Sequence, residues 1–226
     1  MRLLAVGDIH GCLAAFDDLL HWVRPTPDDF VVALGDFVDR GPNTRGVLDR
    51  LIELKKTLNL VCLRGNHEQM MLEALAGGSS ERKMWLGVGG MQTLQSYGVM
   101  ARLTDVPRAH WDFLESKLVD YYETDRFIFT HATVLCDCAL SDQPDYALRW
   151  EFLPEEMRHH SGKTVICGHT SQKAGVPKVV PGAICIDTFA HGGGWLTCLD
   201  VNNAHYWQTD MLGRRREGRV EYPEED

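Results

Sequence analysis

Metal-ligating side chains recur in the first third of this 226-residue sequence, each time just after an apolar run has ended. The segments are Gly7-Asp8-Ile9-His10-Gly11, Gly35-Asp36-Phe37-Val38-Asp39-Arg40-Gly41 and Gly65-Asn66-His67-Glu68. Carboxylate, amide and imidazole groups together bind divalent ions, and a parallel sheet gathers the loops at its strand ends. The three segments therefore read as parts of one dinuclear metal centre. Two later strand-like runs, Phe127-Ile128-Phe129-Thr130-His131 and Val165-Ile166-Cys167-Gly168-His169, end in histidine and complete the set. On this reading Asp8 and His10 hold a first ion, Asp36 bridges, and Asn66, His131 and His169 hold the second. A mixed oxygen and nitrogen set without thiolate suits Mn, Fe or Zn better than Ca or Mg. Taken singly, each residue has a plainer role: aspartates after strands often cap helices, and asparagine tolerates left-handed turn backbone. The ordered series favours ligands.

Such a centre needs a scaffold that aligns strand ends. Leu3 to Val6 reads as a buried strand, followed by a helix with an apolar face of Leu13, Phe16, Leu19, Leu20 and Val23 that Pro25 and Pro27 close. Phe30 to Leu34 forms a second strand, Val47, Leu48, Leu51 and Leu54 mark a second helix, and Leu58 to Leu63 a third strand. This is a pair of βαβ units. Glu68 to Lys117 reads as mostly helical, broken at Gly77-Gly78, Gly89-Gly90 and Pro107, a cover for one side of the site with no chemistry of its own beyond its first residues. After Tyr121 the period shortens, and Arg126 to Thr130, Thr164 to Cys167, Ala183 to Asp187, Leu196 to Val201 and His205 to Gln208 read as strands of a second, largely antiparallel sheet. The expected class is α/β (α+β): two mixed β-sheets packed as a sandwich, flanked by helices, with the metal site at the C-terminal strand ends. Residues 1–212 read as one domain, and 213–226, alternating basic and acidic blocks, as a flexible charged tail.

Composition narrows the function. A net charge of -9 argues against an extended nucleic-acid groove, which needs a dense cationic stripe, but two bound cations can reverse the field locally for a small phosphorylated substrate. The apolar run before the first motif is far too short for a signal peptide or membrane span, so no membrane partner and a cytoplasmic location are expected. Seven cysteines, an odd number, suit reduced thiols; Cys62, Cys167, Cys185 and Cys198 lie in strand-like runs as small core residues. Cys136 and Cys138 are too closely spaced for a zinc knuckle and read as loop thiols.

The five ordered motifs resemble the metallophosphoesterase (calcineurin-like) superfamily over nearly the whole length, in its phosphoprotein phosphatase branch, close to the compact bacterial and phage serine/threonine protein phosphatases. Asp39-Arg40-Gly41 and the His67 that follows Asn66 mark that branch. The resemblance implies a metal-bridging hydroxide for in-line attack on phosphorus, with Mn as the first choice of ion and Fe or Zn as alternatives. It implies that Arg40 and Arg149, with Asn66, bind the phosphoryl oxygens. His67 would protonate the leaving alkoxide, with Asp39 orienting its imidazole. Arg149 lies in Ala147-Leu148-Arg149-Trp150-Glu151, in the reverse of the usual Trp-then-Arg order, so a salt bridge to Glu151 competes with a phosphate role. Two further departures are Thr133 after His131-Ala132, and Phe189-Ala190-His191 after Asp187-Thr188 where the family has glycine. The branched Thr133 would restrict the backbone after His131, and the resemblance places the second loop beside the site, where Phe189 and His191 would alter substrate shape preference.

The implied activity is a serine/threonine protein phosphatase acting on a phosphoprotein or small phosphorylated substrate. Symmetrical hydrolysis of diadenosine tetraphosphate is the rival, since those hydrolases share the motifs. A non-catalytic phosphate-binding protein ranks third because the proton donor and every expected ligand are present.

Overall fold

Three parallel strands open the computed structural model, which describes residues 1–221. They are β1 (Leu3–Val6), β2 (Phe30–Ala33) and β3 (Asn59–Cys62), joined through helices α1 (Leu13–Val23) and α2 (Thr44–Leu54). Helix α1 buries Ala15, Phe16, Leu19 and Val23 and stops where Arg24 turns left-handed, its N–H bonding Leu20 O. Asn43 caps α2 by accepting the Gly46 N–H at 3.0 Å. The expected interruptions at Gly77-Gly78, Gly89-Gly90 and Pro107 divide α3 (Asn66–Ala76), α4 (Ser79–Trp85), α5 (Met91–Tyr97) and α6 (Arg108–Ser116).

The second sheet is built from β4 (Tyr121–Glu123), β5 (Phe127–Thr130), β6 (Thr164–Cys167), β7 (Lys178–Val180) and β8 (Ala183–Cys185), in the order β4-β5-β6-β8-β7; helix α7 (Asp145–Arg149) lies between β5 and β6 in sequence. Its three central strands run parallel, with antiparallel strands only at the two edges. This corrects the expectation of a largely antiparallel sheet. The remaining strands, β9 (Leu196–Asp200) and β10 (His205–Thr209), belong to the first sheet, where β9 covers the open edge of β1. Alternation identifies a strand but not its partner, so neither point was visible in a local pattern.

Side-chain alternation explains the layers. On β1, Leu4 and Val6 face the helices while Ala5 faces the other sheet; on β5, Phe127 and Phe129 turn inward and Ile128 outward. Ala5, Val32 and Leu199 thus meet Phe127, Phe129, Ile166 and Ile184 in an apolar inter-sheet core. The class expected from sequence, two mixed sheets packed as a sandwich with flanking helices, is the class observed.

The tail departs from expectation. Arg215–Arg219 forms strand β11 on the edge of β10, because its arginines have anchors: Arg215 Nε bonds Asp18 at 3.0 Å, and Arg216 reaches Gln208 Oε1 at 2.7 Å while lying 4.2 Å from the Trp195 ring centroid. The part of the expected tail at 222–226 lies outside the described residues. All seven cysteines are unpaired, five of them buried. Among the described residues no helix is long and apolar enough to cross a membrane.

Candidate metal centre

The strand-end loops are held by main-chain bonds and one carboxylate. Ile9 and His10 donate to Asp36 O at 3.2 and 2.7 Å, and Gly11 N donates to Phe37 O at 3.0 Å. Buried Glu68 then collects four amides: Asp36 N and Gly65 N on Oε2, both 2.9 Å, and Phe37 N and Val38 N on Oε1, at 2.7 and 3.2 Å. Such a bracket is needed because His10, Asp36, Asp39, Arg40, His169 and Phe189 all adopt positive φ, each at a cost of about 1–3 kcal/mol that the surroundings must offset. Gly65 is obligatory here, since a Cβ would collide with Asp36 Oδ1. Burial and the nearby Asp36 carboxylate push Glu68 up to about 7, against the pull of its amide donors. Glu68→Gln turns an NH2 toward two of those N–H groups, and we expect it to lower stability by about 2–4 kcal/mol, read by denaturant unfolding. A loss below 0.5 kcal/mol (about the scatter of surface substitutions) would remove Glu68 from this role.

The histidines present their outer nitrogens to Asp36. His10 Nδ1 lies 2.8 Å from Val38 O and His131 Nδ1 lies 2.9 Å from Leu34 O, so each donates its proton to a carbonyl. Their Nε2 atoms sit 3.3 and 3.4 Å from the two oxygens of Asp36, and His131 Nε2 is 3.1 Å from Asn66 Oδ1. A nitrogen lone pair facing a carboxylate oxygen is repulsive unless a proton or a cation lies between them, which is the donor arrangement of a cation site. Two groups with atoms within 4.8 Å result, His10 with Asp36 and His67, and Asp36 with His131 and His169; Asp36 is common to both. Burial raises Asp36, but His131, His67 and His10 hold it well below the usual carboxylate range.

Asp8 is buried beside this cluster but joins neither group; its oxygens accept the His169 N–H at 3.0 and 3.3 Å. Burial, then Asp187 and Asp36, drive Asp8 well above the usual carboxylate range. Two buried carboxylates in mutual repulsion beside bare imidazole nitrogens are chemically suited to divalent cations. His169 gives Nε2–H to Trp150 O at 3.1 Å, keeping Nδ1 as its ligand atom, and burial followed by the adjacent His131 pushes it down to about 4.

A second constellation lies alongside. His67 Nδ1 donates to Asp39 Oδ2 at 2.7 Å, and the fully buried Asp39 also accepts Trp85 Nε1–H at 3.0 Å and the Thr93 hydroxyl at 2.8 Å. Trp85 and Thr93 come from the region expected to contribute no chemistry. Neither carries a motif, and only the Gly89-Gly90 break, which lets Gly89 O accept Arg40 N–H at 3.3 Å, hinted at a local use. Arg40 Nη1 donates to His10 Nε2 at 3.3 Å and His191 Nε2 at 3.1 Å. Arg149 is engaged elsewhere: it forms salt bridges with Asp120 at 2.6 Å and Asp145 at 2.7 Å, and not with Glu151, and donates a hydrogen bond to Gln69 Oε1 at 3.2 Å. Thr133 is buried with its hydroxyl on Ala147 O, away from the cluster's bonds.

The chain has counterparts among known proteins. The family profile described as calcineurin-like phosphoesterase matches residues 1–173, more than half of the chain. The chain belongs to the calcineurin-like phosphoesterases. Among relatives of this phosphoesterase, serine/threonine-protein phosphatase 1 of Salmonella typhimurium is 45% identical over 86 residues, covering 38% of this chain and 37% of its own. The symmetrical bis(5'-nucleosyl)-tetraphosphatase of Pseudomonas putida is 30% identical over 155 residues, covering 67% of this chain and 49% of its own. The phosphoesterase thus aligns with less than half the length of either relative. Its fold matches a structure described as a candidate diadenosine tetraphosphatase, with TM-score 0.67 at 22% identity, covering 96% of this chain and 93% of that one. A Saccharomyces cerevisiae protein serine/threonine phosphatase gives TM-score 0.61 at 17% identity, covering 99% and 81%.

Proposed function

We propose that this chain is a metal-dependent phosphomonoesterase acting on phosphoserine or phosphothreonine, with Asp8, His10, Asp36, Asn66, His131 and His169 holding two divalent ions, Mn foremost and Fe or Zn next. When bound, such ions make water nucleophilic near neutral pH and withdraw charge from the phosphoryl group. The protein's own groups do the rest. Arg40 offers a guanidinium to the phosphoryl oxygens, and Asn66 lies beside His131 where its amide can orient one of them. Asp39 accepts the Nδ1 proton of His67 and so fixes the orientation of the ring, leaving Nε2 as the atom that faces the leaving group.

The His67–Asp39 pair carries the choice of substrate. A serine or threonine alkoxide is a poor leaving group that needs a proton, whereas a nucleoside polyphosphate departs as a phosphate anion and needs little help. The second reading, symmetrical dinucleoside tetraphosphate hydrolysis, is supported by an aromatic edge: Phe152 is 72% exposed and stacks on His169 with centroids 5.4 Å apart, with half-exposed Trp150 beside it, a surface suited to a purine. Side-by-side kcat/KM on a phosphothreonine peptide and on diadenosine tetraphosphate, with Mn, Zn and Fe each supplied, separates the two. We expect the peptide to win by about a hundredfold, or about 2.7 kcal/mol of differential transition-state binding; the reverse preference would overturn the reading.

A further inference from the structure

His191 sits on the short 3-10 turn Ala190–Gly192 after β8. It touches two members of the centre. Its Nε2 accepts a hydrogen bond from Arg40 Nη1 at 3.1 Å, and its ring packs edge-on against His10 with centroids 4.8 Å apart. On its other side the ring meets Phe189, also at 4.8 Å. Phe189 is itself fixed: its backbone is left-handed, its N–H bonds Asp187 Oδ1 at 3.0 Å, and its carbonyl accepts Gly194 N–H at 2.9 Å. The far end of the loop is closed by Trp195 N–H on Thr188 O at 2.9 Å, with the Trp195 ring lying between Arg214 and Arg216. The loop is a built mount that presents one imidazole nitrogen to Arg40.

We propose that His191 is a positioning residue that aims the Arg40 guanidinium at the substrate's phosphoryl group; this rests on the phosphoesterase reading above. A guanidinium has donors only, so the atom that fixes it must offer a lone pair. The usual partner, a carboxylate, would fix the geometry and also cancel the charge that the phosphoryl oxygens require. A neutral imidazole nitrogen fixes one N–H and leaves the charge whole. Among the described residues Nε and Nη2 of Arg40 make no hydrogen bond, so the fork that pairs with two phosphoryl oxygens stays available. The other anchor of Nη1, His10 Nε2, is a candidate metal-ligand atom. Once that nitrogen is given to an ion, His191 is the anchor that remains.

The test uses the full chain reconstituted with Mn, in the variants His191→Ala, His191→Gln, Arg40→Ala and the double variant. Inorganic phosphate binding is measured by calorimetry, metal content by mass spectrometry, and turnover on p-nitrophenyl phosphate. We expect His191→Ala to weaken phosphate binding about tenfold, the worth of one charge-assisted hydrogen bond, with metal content unchanged. Gln, whose Oε1 can reach the position of Nε2, is expected to restore most of the loss. In the Arg40→Ala background, removing His191 is expected to change phosphate affinity by less than about twofold, because the two act as one unit. Unchanged affinity in His191→Ala, a full additional loss in the double variant, or a loss that tracks lost metal would each overturn the proposal. If the wild type turns over no phosphate ester, the functional reading fails while the phosphate titration still decides the role of His191.

Discussion

Asp36→Asn is expected to strip the protein of metal and of turnover together. One carboxylate serves both halves of the cluster, with Oδ2 3.3 Å from His10 and Oδ1 3.4 Å from His131. Asparagine preserves the shape and can still accept the His67 N–H that Asp36 Oδ1 now accepts at 3.1 Å, so the fold is expected to survive. What disappears is the negative charge that, on the proposed reading, would hold both cations. Without bound ions, water would lose the activation that divalent cations supply, and we expect kcat/KM to fall by at least about 10⁴-fold. Metal content is expected to drop from two ions per chain to below one. Circular dichroism and metal analysis on the same sample separate loss of ions from loss of fold; a folded, metal-poor variant with full activity would refute the dinuclear reading.

His67→Asn is expected to discriminate between substrates. On an alkyl phosphate the loss should be about 10²–10⁴-fold, the range of general acid catalysis, while on p-nitrophenyl phosphate, whose leaving group needs no proton, it should be under about tenfold. Asp39→Asn should reproduce the pattern, since an amide that turns its NH2 toward Nδ1, now 2.7 Å from the carboxylate, holds the ring in the wrong tautomer. Geometry offers one rival: His67 also falls within 4.8 Å of the ligand atoms of His10 and Asp36. If His67 binds an ion, His67→Asn loses metal and slows both substrates equally. Retained metal with unequal losses identifies the acid.

Much of this was legible because parallel strands impose their own logic. An apolar run that stops at Gly-Asp or Gly-Asn announces both a strand end and a polar group placed there, and the first three such runs became β1, β2 and β3 within a residue or two. His131 and His169 were found in the same way at the ends of β5 and β6. Legibility failed where a role depends on a partner distant in sequence. Trp85 and Thr93 reach Asp39 across 46 and 54 residues, and both look like ordinary helix residues. Arg149 carried a recognisable neighbourhood, yet Asp120, 29 residues earlier, engages its guanidinium. The strand at Arg215–Arg219 hid behind its charge: its stabilisation comes from Asp18, Gln208 and Trp195, none of which a local window contains.

The position of β1 has a consequence for how the molecule is made. β1 lies in the middle of its sheet, with β2 on one side and β9 on the other, and Gly7, which opens the first motif, is pinned by its N–H on Thr197 O at 3.0 Å. Ala15 O waits in the same way for the Thr209 hydroxyl, 194 residues later. As the chain leaves the ribosome, the loop that bears Asp8 and His10 therefore lacks half of its lateral support until β9 emerges. Pairings of such long span are slow to form. Asp8 and His10 thus precede most of the fold, but the loop that bears them gains its second flanking strand only with β9.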